Sequence, residues 1–222
     1  MLPVQQPTGL TVDLGYNEVA PVARGDATVI LMHGRGAEAD DLRDVGERLP
    51  AARVLLAQAP FPAAPWGYGP GRAWYRFLGD DRPEAASFAT SLDALHDLVT
   101  RLSGDGSGPI VVGGFSQGGT LALGYALAFP GTAAAVLNFS GFLANHARVR
   151  TEPATAQNLP IFWGHGTMDP AIPFDLAEAG RAKLRDAGAA LTSHDYALGH
   201  SISLDEIADA GRWLSGLAGP AV

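Results

Sequence analysis

Short apolar, β-branched runs alternate along this chain with longer stretches in which apolar residues recur every three to four positions. The runs fall at 27–32, 53–57, 110–113, 134–139 and 161–163, with a later one at 191–196 and an early one near Thr11. Apolar runs of this length suit strands covered on both faces, and the stretches between them read as amphipathic helices. Helical periodicity is clearest over 84–102, where Phe88, Leu92, Leu95, Leu98 and Val99 share one stripe that should face a sheet. Helices are also predicted at 39–49, 117–129, 173–187 and 204–217, with Pro173 suited to a first helical turn and Gly188 to a helix stop. Strand and helix in alternation predict an α/β fold with a mostly parallel central sheet and helices on both faces.

Two stretches interrupt the alternation. Residues 59–73, APFPAAPWGYGPGRA, are dense in Pro and Gly, which stop both helix and strand from propagating, and predict a surface loop. Residues 141–159 follow a strand but are too short for a separate cap domain.

Composition narrows the class. With 222 residues, 47% hydrophobic and 17% charged, the chain suits one α/β domain spanning 1–222. A formal charge of −8 repels polyanions, so no nucleic-acid partner is expected. The absence of Cys excludes disulfides and Cys-ligated metal and favours a cytoplasmic setting. No export signal and no long apolar span is present, so membrane insertion is not expected.

The chemistry concentrates in VVGGFSQGG, residues 111–119, where Gly114, Ser116 and Gly118 form G-x-S-x-G between a strand and a helix. Such a turn projects a Ser above the carboxyl edge of the sheet and aims a helix N-terminus at the same point, which stabilises a developing oxyanion. The bland alternative is a glycine-rich turn around an ordinary Ser. A Ser hydroxyl needs a His to take its proton and a carboxylate to orient that His, following in the order acid, then base. Asp169 stands in a loop after the 161–163 strand, and His200 lies between the last strand and the last helix. Asp175 and Asp195 are rivals placed inside a helix and a strand. His165 competes with His200 but precedes Asp169, while His96 and His146 read as solvated. A second loop, HGRG at residues 33–36, follows an early strand, so the backbone N–H groups of Arg35 and Gln117 are candidate oxyanion donors. The Arg35 side chain either reaches the pocket mouth or, as long cationic side chains usually do, turns outward to pair with Glu38, Asp40 or Asp41. Trp66, Tyr68, Trp74 and Phe142 are candidates for lining a substrate pocket. No metal site is expected, since no H-E-x-x-H occurs.

On the segments LMHGRG, AWY at Trp74, GGFSQGG, HGTMDPAIP and GHSIS, which are spread over most of its length, the chain resembles the phospholipase/carboxylesterase family of α/β-hydrolases, a group that includes acyl-protein thioesterases. The resemblance implies catalytic roles for Ser116, Asp169 and His200, oxyanion donors at Arg35 and Gln117, no cofactor, no large cap, and a small-molecule acyl ester or thioester of short to medium length as substrate. Lysophospholipids, lactones and aromatic esters stand as alternative substrates, an inactive hydrolase-fold binding protein as the reading from another class, and a homodimer is left open. Arg35 and Arg76 depart from the pattern, since many members carry an apolar residue at the first position and an acidic one at the second.

Overall fold

The computed structural model describes residues 12–217, which build a seven-stranded sheet flanked by helices. Its strands are β1 (Tyr16–Val19), β2 (Arg24–Met32), β3 (Ala51–Ala57), β6 (Ile110–Phe115), β7 (Ala135–Phe139), β8 (Pro160–Gly166) and β9 (Ala190–Tyr196), in the order β1-β3-β2-β6-β7-β8-β9. Only the edge strand β1 runs antiparallel to its neighbour. The strand expected near Thr11 lies outside the described residues.

Period-two alternation sorts the strand residues between two cores. Ile30, Met32, Leu55, Ala57 and Val112 point to one face, where they meet α2 (Ala85–Gly104), α3 (Gln117–Ala128) and α5 (Phe174–Asp186). Val29, Leu31, Val54, Leu56 and Val111 point to the other, covered by α1 (Arg43–Arg48) and α6 (Leu204–Leu217). The chain therefore leaves β2 toward one face and β6 toward the other although these strands are neighbours, which opens a crevice at their carboxyl ends.

The α2 stripe reads in the structure as it does in the sequence, with Phe88, Leu92, Leu95, Leu98 and Val99 all buried. Because Leu95 is fully enclosed, Leu95→Ala should cost about 2–5 kcal/mol through lost transfer energy and the cavity left behind. Urea denaturation measures this, and a loss below about 1 kcal/mol would show that the site collapses freely.

Three segments differ from the sequence expectation. The 39–49 helix is split into a 3₁₀ turn (Ala39–Leu42) followed by α1. Asp41 Oδ2 accepts the Glu38 N–H at 3.1 Å and tightens that first turn. The 59–73 loop contains a two-stranded ribbon of β4 (Phe61–Pro62) and β5 (Arg72–Ala73). Proline is tolerated in so short an edge ribbon, and the Arg72 guanidinium satisfies the carbonyls of Ala59 and Pro60. Residues 141–159 carry one short helix, α4 (Pro153–Ala156), and no cap.

Candidate active site

Ser116 occupies the turn between β6 and α3 with φ 55° and ψ −113°, a left-handed backbone that a residue bearing a Cβ rarely adopts. The strain is held by its neighbours, since Ser116 N–H donates to Phe139 O at 2.8 Å and Ser116 O accepts the Thr120 N–H at 3.0 Å. Space explains the flanking glycines. A Cβ on Gly114 would lie 2.3 Å from Met32 O, and one on Gly118 would lie 1.9 Å from the same atom. The turn fits against β2 only without those side chains.

His200 bridges Ser116 and Asp169. Its Nδ1 lies 2.6 Å from Asp169 Oδ2 and its Nε2 lies 2.8 Å from Ser116 Oγ. A carboxylate only accepts, so the ring proton sits on Nδ1 and the Nε2 lone pair faces the hydroxyl. Asp169 is itself fixed, its Oδ1 accepting the N–H groups of Ala171 and Ile172 at 2.8 and 2.9 Å. This geometry suits removal of the Ser116 proton by His200 with the imidazolium stabilised from behind.

His165 is held apart from that line. Its Nε2 is 3.0 Å from Ile172 O, to which it donates, and 3.7 Å from Asp169 Oδ2, beyond hydrogen-bond reach. Burial is the main cause that lowers its pKa, so it stays neutral. Asp175 lies in α5, and Asp195 on β9 receives the Arg181 guanidinium at 2.6 Å. His96 and His146 depart from the solvated reading. The His96 ring stacks on Phe129 at 4.0 Å, and His146 sits against Phe88 with its Nε2 3.2 Å from Ala85 O.

The loop after β2 is braced by side chains whose roles the sequence reading missed. His33 is fully buried and its pKa is lowered, first by burial. Its Nε2 accepts the Ala59 N–H at 3.1 Å, so its Nδ1 carries the proton and donates to Gly34 O at 2.8 Å. Trp74 Nε1 donates to His33 O at 2.9 Å. Gln117 contributes more than a backbone group, with Oε1 accepting the Trp74 N–H at 2.8 Å and Nε2 donating to Tyr75 O at 2.7 Å. The elbow is thereby tied to the AWY segment. Gln117 heads α3, so its N–H is one of those that a helix start leaves unpaired, and both Arg35 and Gln117 border the space above Ser116.

That space is a cavity of about 650 Å³ at the crevice between β2 and β6. Phe142 lines it, together with Tyr75, Phe77 and Ile172. Trp66, Tyr68 and Trp74 do not line it. Trp74 is buried in clamping the His33 carbonyl, and Trp66 packs between Phe61 and Tyr68 within the ribbon. Tyr68 is turned to Phe77, whose N–H its hydroxyl accepts at 2.8 Å. The outward pairing of Arg35 with Glu38, Asp40 or Asp41 is not formed. The Arg35 guanidinium lies instead over the Tyr68 ring, 4.7 Å from its centroid.

The His200 loop runs directly into α6, whose start carries Ser203 and Glu206 at capping-box spacing. Glu206 N–H donates to Ser203 Oγ at 3.1 Å, and the Glu206 carboxyl is buried with Oε1 unpaired among the described residues. Burial pushes its pKa up to about 8, so the group is a neutral acid in the folded protein at pH 7. Between about pH 4.5 and 8 the folded state then binds a proton that the unfolded chain has released. Stability from this group is full at pH 4.5 and below, falls as pH rises, and levels off above about pH 8. The unfolding free energy measured by urea denaturation should decline by about a few kcal/mol between pH 5 and 8 in wild type, and Glu206→Gln should flatten that decline. Equal slopes in the two proteins would contradict a neutral Glu206.

Known proteins match this chain across most of its length. A family model described as phospholipase/carboxylesterase matches residues 17–217. An acyl-protein thioesterase 1 of Neurospora crassa is 32% identical over 212 residues, which cover 85% of this chain and 86% of that protein. A probable carboxylesterase of Oryza sativa subsp. japonica is 30% identical, with 94% of this chain and 84% of that protein covered. The crystal structure of Zea mays acyl-protein thioesterase 2 superposes with a TM-score of 0.76, covering 92% of this chain and 99% of that one, at 21% identity, a likeness of fold.

Proposed function

Because this chain belongs to the phospholipase/carboxylesterase family of α/β-hydrolases and is a carboxylic ester hydrolase, we propose that it cleaves short to medium acyl esters or thioesters through an acyl-enzyme on Ser116. The observation that carries the assignment is the single imidazole of His200 held between Asp169 and Ser116 at 2.6 and 2.8 Å.

In this mechanism His200 Nε2 takes the Ser116 proton as Oγ attacks the acyl carbonyl, and the negative charge that develops on the carbonyl oxygen is met by the N–H groups of Arg35 and Gln117. His200 then passes the proton to the departing alcohol or thiol. Water repeats the sequence on the acyl-enzyme, giving its proton to His200, which returns it to Ser116 Oγ as the acid is released. Asp169 keeps its charge throughout and stabilises the imidazolium. The three side chains and two backbone donors supply every proton and charge movement, so the proposal calls for no cofactor. The acyl chain lies against Tyr75, Phe77, Phe142 and Ile172. A cavity of about 650 Å³ that must also hold the leaving group favours short to medium chains.

A fluorophosphonate that reacts only with an activated Ser should label the protein at Ser116, read by peptide mass spectrometry. Hydrolysis of p-nitrophenyl esters of graded length, beside acyl thioesters, lysophospholipids, lactones and aromatic esters, then ranks the substrates. Absence of both labelling and turnover would favour a hydrolase-fold binding protein instead.

A further inference from the structure

Among the described residues the Arg35 guanidinium enters no ion pair, although three acidic residues follow it within six positions. Those carboxylates are engaged elsewhere. Glu38 Oε2 accepts the Gln58 side-chain amide at 2.7 Å, Asp40 Oδ1 accepts from Arg43 at 2.7 Å and from Asn17 at 3.0 Å, and Asp41 caps the Glu38 N–H. Arg35 lines the cavity above Ser116, and its head is stacked on Tyr68.

The stack is preorganised from both sides. The Arg35 backbone is fixed by Gly36, which has φ +77°, donates its N–H to Arg72 O at 2.8 Å, and sits so close to Tyr68 O that an added Cβ would lie 2.1 Å from it. The Tyr68 ring is fixed by the hydrogen bond from Phe77 N–H to its hydroxyl. Held over the ring, the guanidinium makes no side-chain hydrogen bond among the described residues, so its N–H groups remain available to a carboxylate or phosphate, which such a fork can receive through two parallel bonds. The charge is felt on the aromatic wall of the cavity, where it opposes the upward shift that burial imposes on the Tyr75 phenol. Arg48, Asp41 and Asp44 also border the cavity; Asp44 lies one helical turn before Arg48 on α1 and offsets its charge, and Asp41 Oδ2 is engaged by the Glu38 N–H.

Resting on the esterase reading above, we infer that Arg35 is a specificity determinant that selects esters bearing an anionic oxygen group, a carboxylate or a phosphate, with Tyr68 as its positioning residue. The chain's net charge of −8 would otherwise disfavour such substrates.

The test compares kcat/KM on matched esters, the neutral member of each pair serving as each variant's own reference. Ethyl butyrate is paired with ethyl hemisuccinate, which puts a carboxylate on the acyl side. Glycerol monobutyrate is paired with glycerol 3-phosphate monobutyrate, which puts a phosphate on the alcohol side. Arg35→Leu should lower the anionic-to-neutral ratio of at least one pair by roughly 10- to 100-fold, mainly through KM. Arg35→Lys, which keeps the charge and loses the fork, should fall between, and Tyr68→Leu should lower the same ratio by a smaller factor. Whichever pair responds identifies the side of the substrate that Arg35 reads. Ratios in Arg35→Leu within twofold of wild type for both pairs overturn the inference while leaving the esterase reading intact. A wild-type protein that cleaves no member of either pair and takes no fluorophosphonate overturns both.

Discussion

Ser116→Ala is expected to lower kcat/KM on every ester the enzyme cleaves by about 10⁴-fold or more, with an unchanged urea midpoint. The magnitude follows from the roles proposed above. Without Oγ no acyl-enzyme forms, His200 has no proton to take up and Asp169 no imidazolium to stabilise, so their contributions vanish together with that of the nucleophile. What survives is the polarisation of the carbonyl by the Arg35 and Gln117 N–H groups and the binding of the acyl chain. The fold should be indifferent to the change. Alanine keeps the Cβ that already occupies the φ 55° backbone, and the backbone bonds to Phe139 and Thr120 do not involve the side chain. Activity above a few per cent of wild type, with contaminating esterase excluded, would sink the assignment of Ser116.

The second large effect separates two histidines that both approach Asp169. His200→Gln should reduce kcat/KM by roughly 10³- to 10⁴-fold, because an amide at that position cannot take up the Ser116 proton. His165→Gln should stay within about tenfold of wild type. The His165 ring donates to Ile172 O, a bond that a Gln amide can restore, and does not line the cavity. Some loss is expected because the Ile172 N–H supports Asp169, so disturbing that loop loosens the acid. Steady-state assays on one neutral ester decide the matter, and the reverse ranking would show that the proton acceptor is His165.

Both experiments depend on how differently the parts of this molecule are written in its sequence. The strands and helices were legible because their signals are local. Alternation along β2 and the three-to-four spacing along α2 arise from the geometry of each element alone, and burial on the two sheet faces selects for it. The elbow was legible for a similar reason, since Gly114 and Gly118 are imposed by contacts within a few residues of Ser116 and with one neighbouring strand. Chain order added that Asp169 and His200 both follow strands whose ends share the edge where Ser116 sits.

Other features are not written in local signals because they depend on partners far away in the chain; chain order pointed to His200 and Asp169 without showing their contacts. The hydrogen bond from Ser116 to His200 joins residues 84 positions apart, and the one from His200 to Asp169 joins residues 31 apart. Nothing in the local sequence of His165 reports that its ring points to Ile172 O. The same holds for the AWY segment, where an aromatic count suggested pocket walls, but the Trp74 indole N–H needed a buried acceptor and found the His33 carbonyl. Arg35 is the plainest case. Three nearby carboxylates made outward pairing the natural expectation, and it is not formed: Gln58 and Asn17, brought in by other elements, and Arg43, three residues beyond Asp40, occupy two of them while Asp41 caps its own turn. The sequence by itself determined the alternation of elements, the strained turn at Ser116 and the order of the groups that follow it. Only the tertiary structure decided which imidazole meets the Ser116 hydroxyl, which aromatics face the cavity and where the Arg35 charge is left, because a hydrogen bond or an ion pair goes to whichever partner the packed chain brings within about 3 Å.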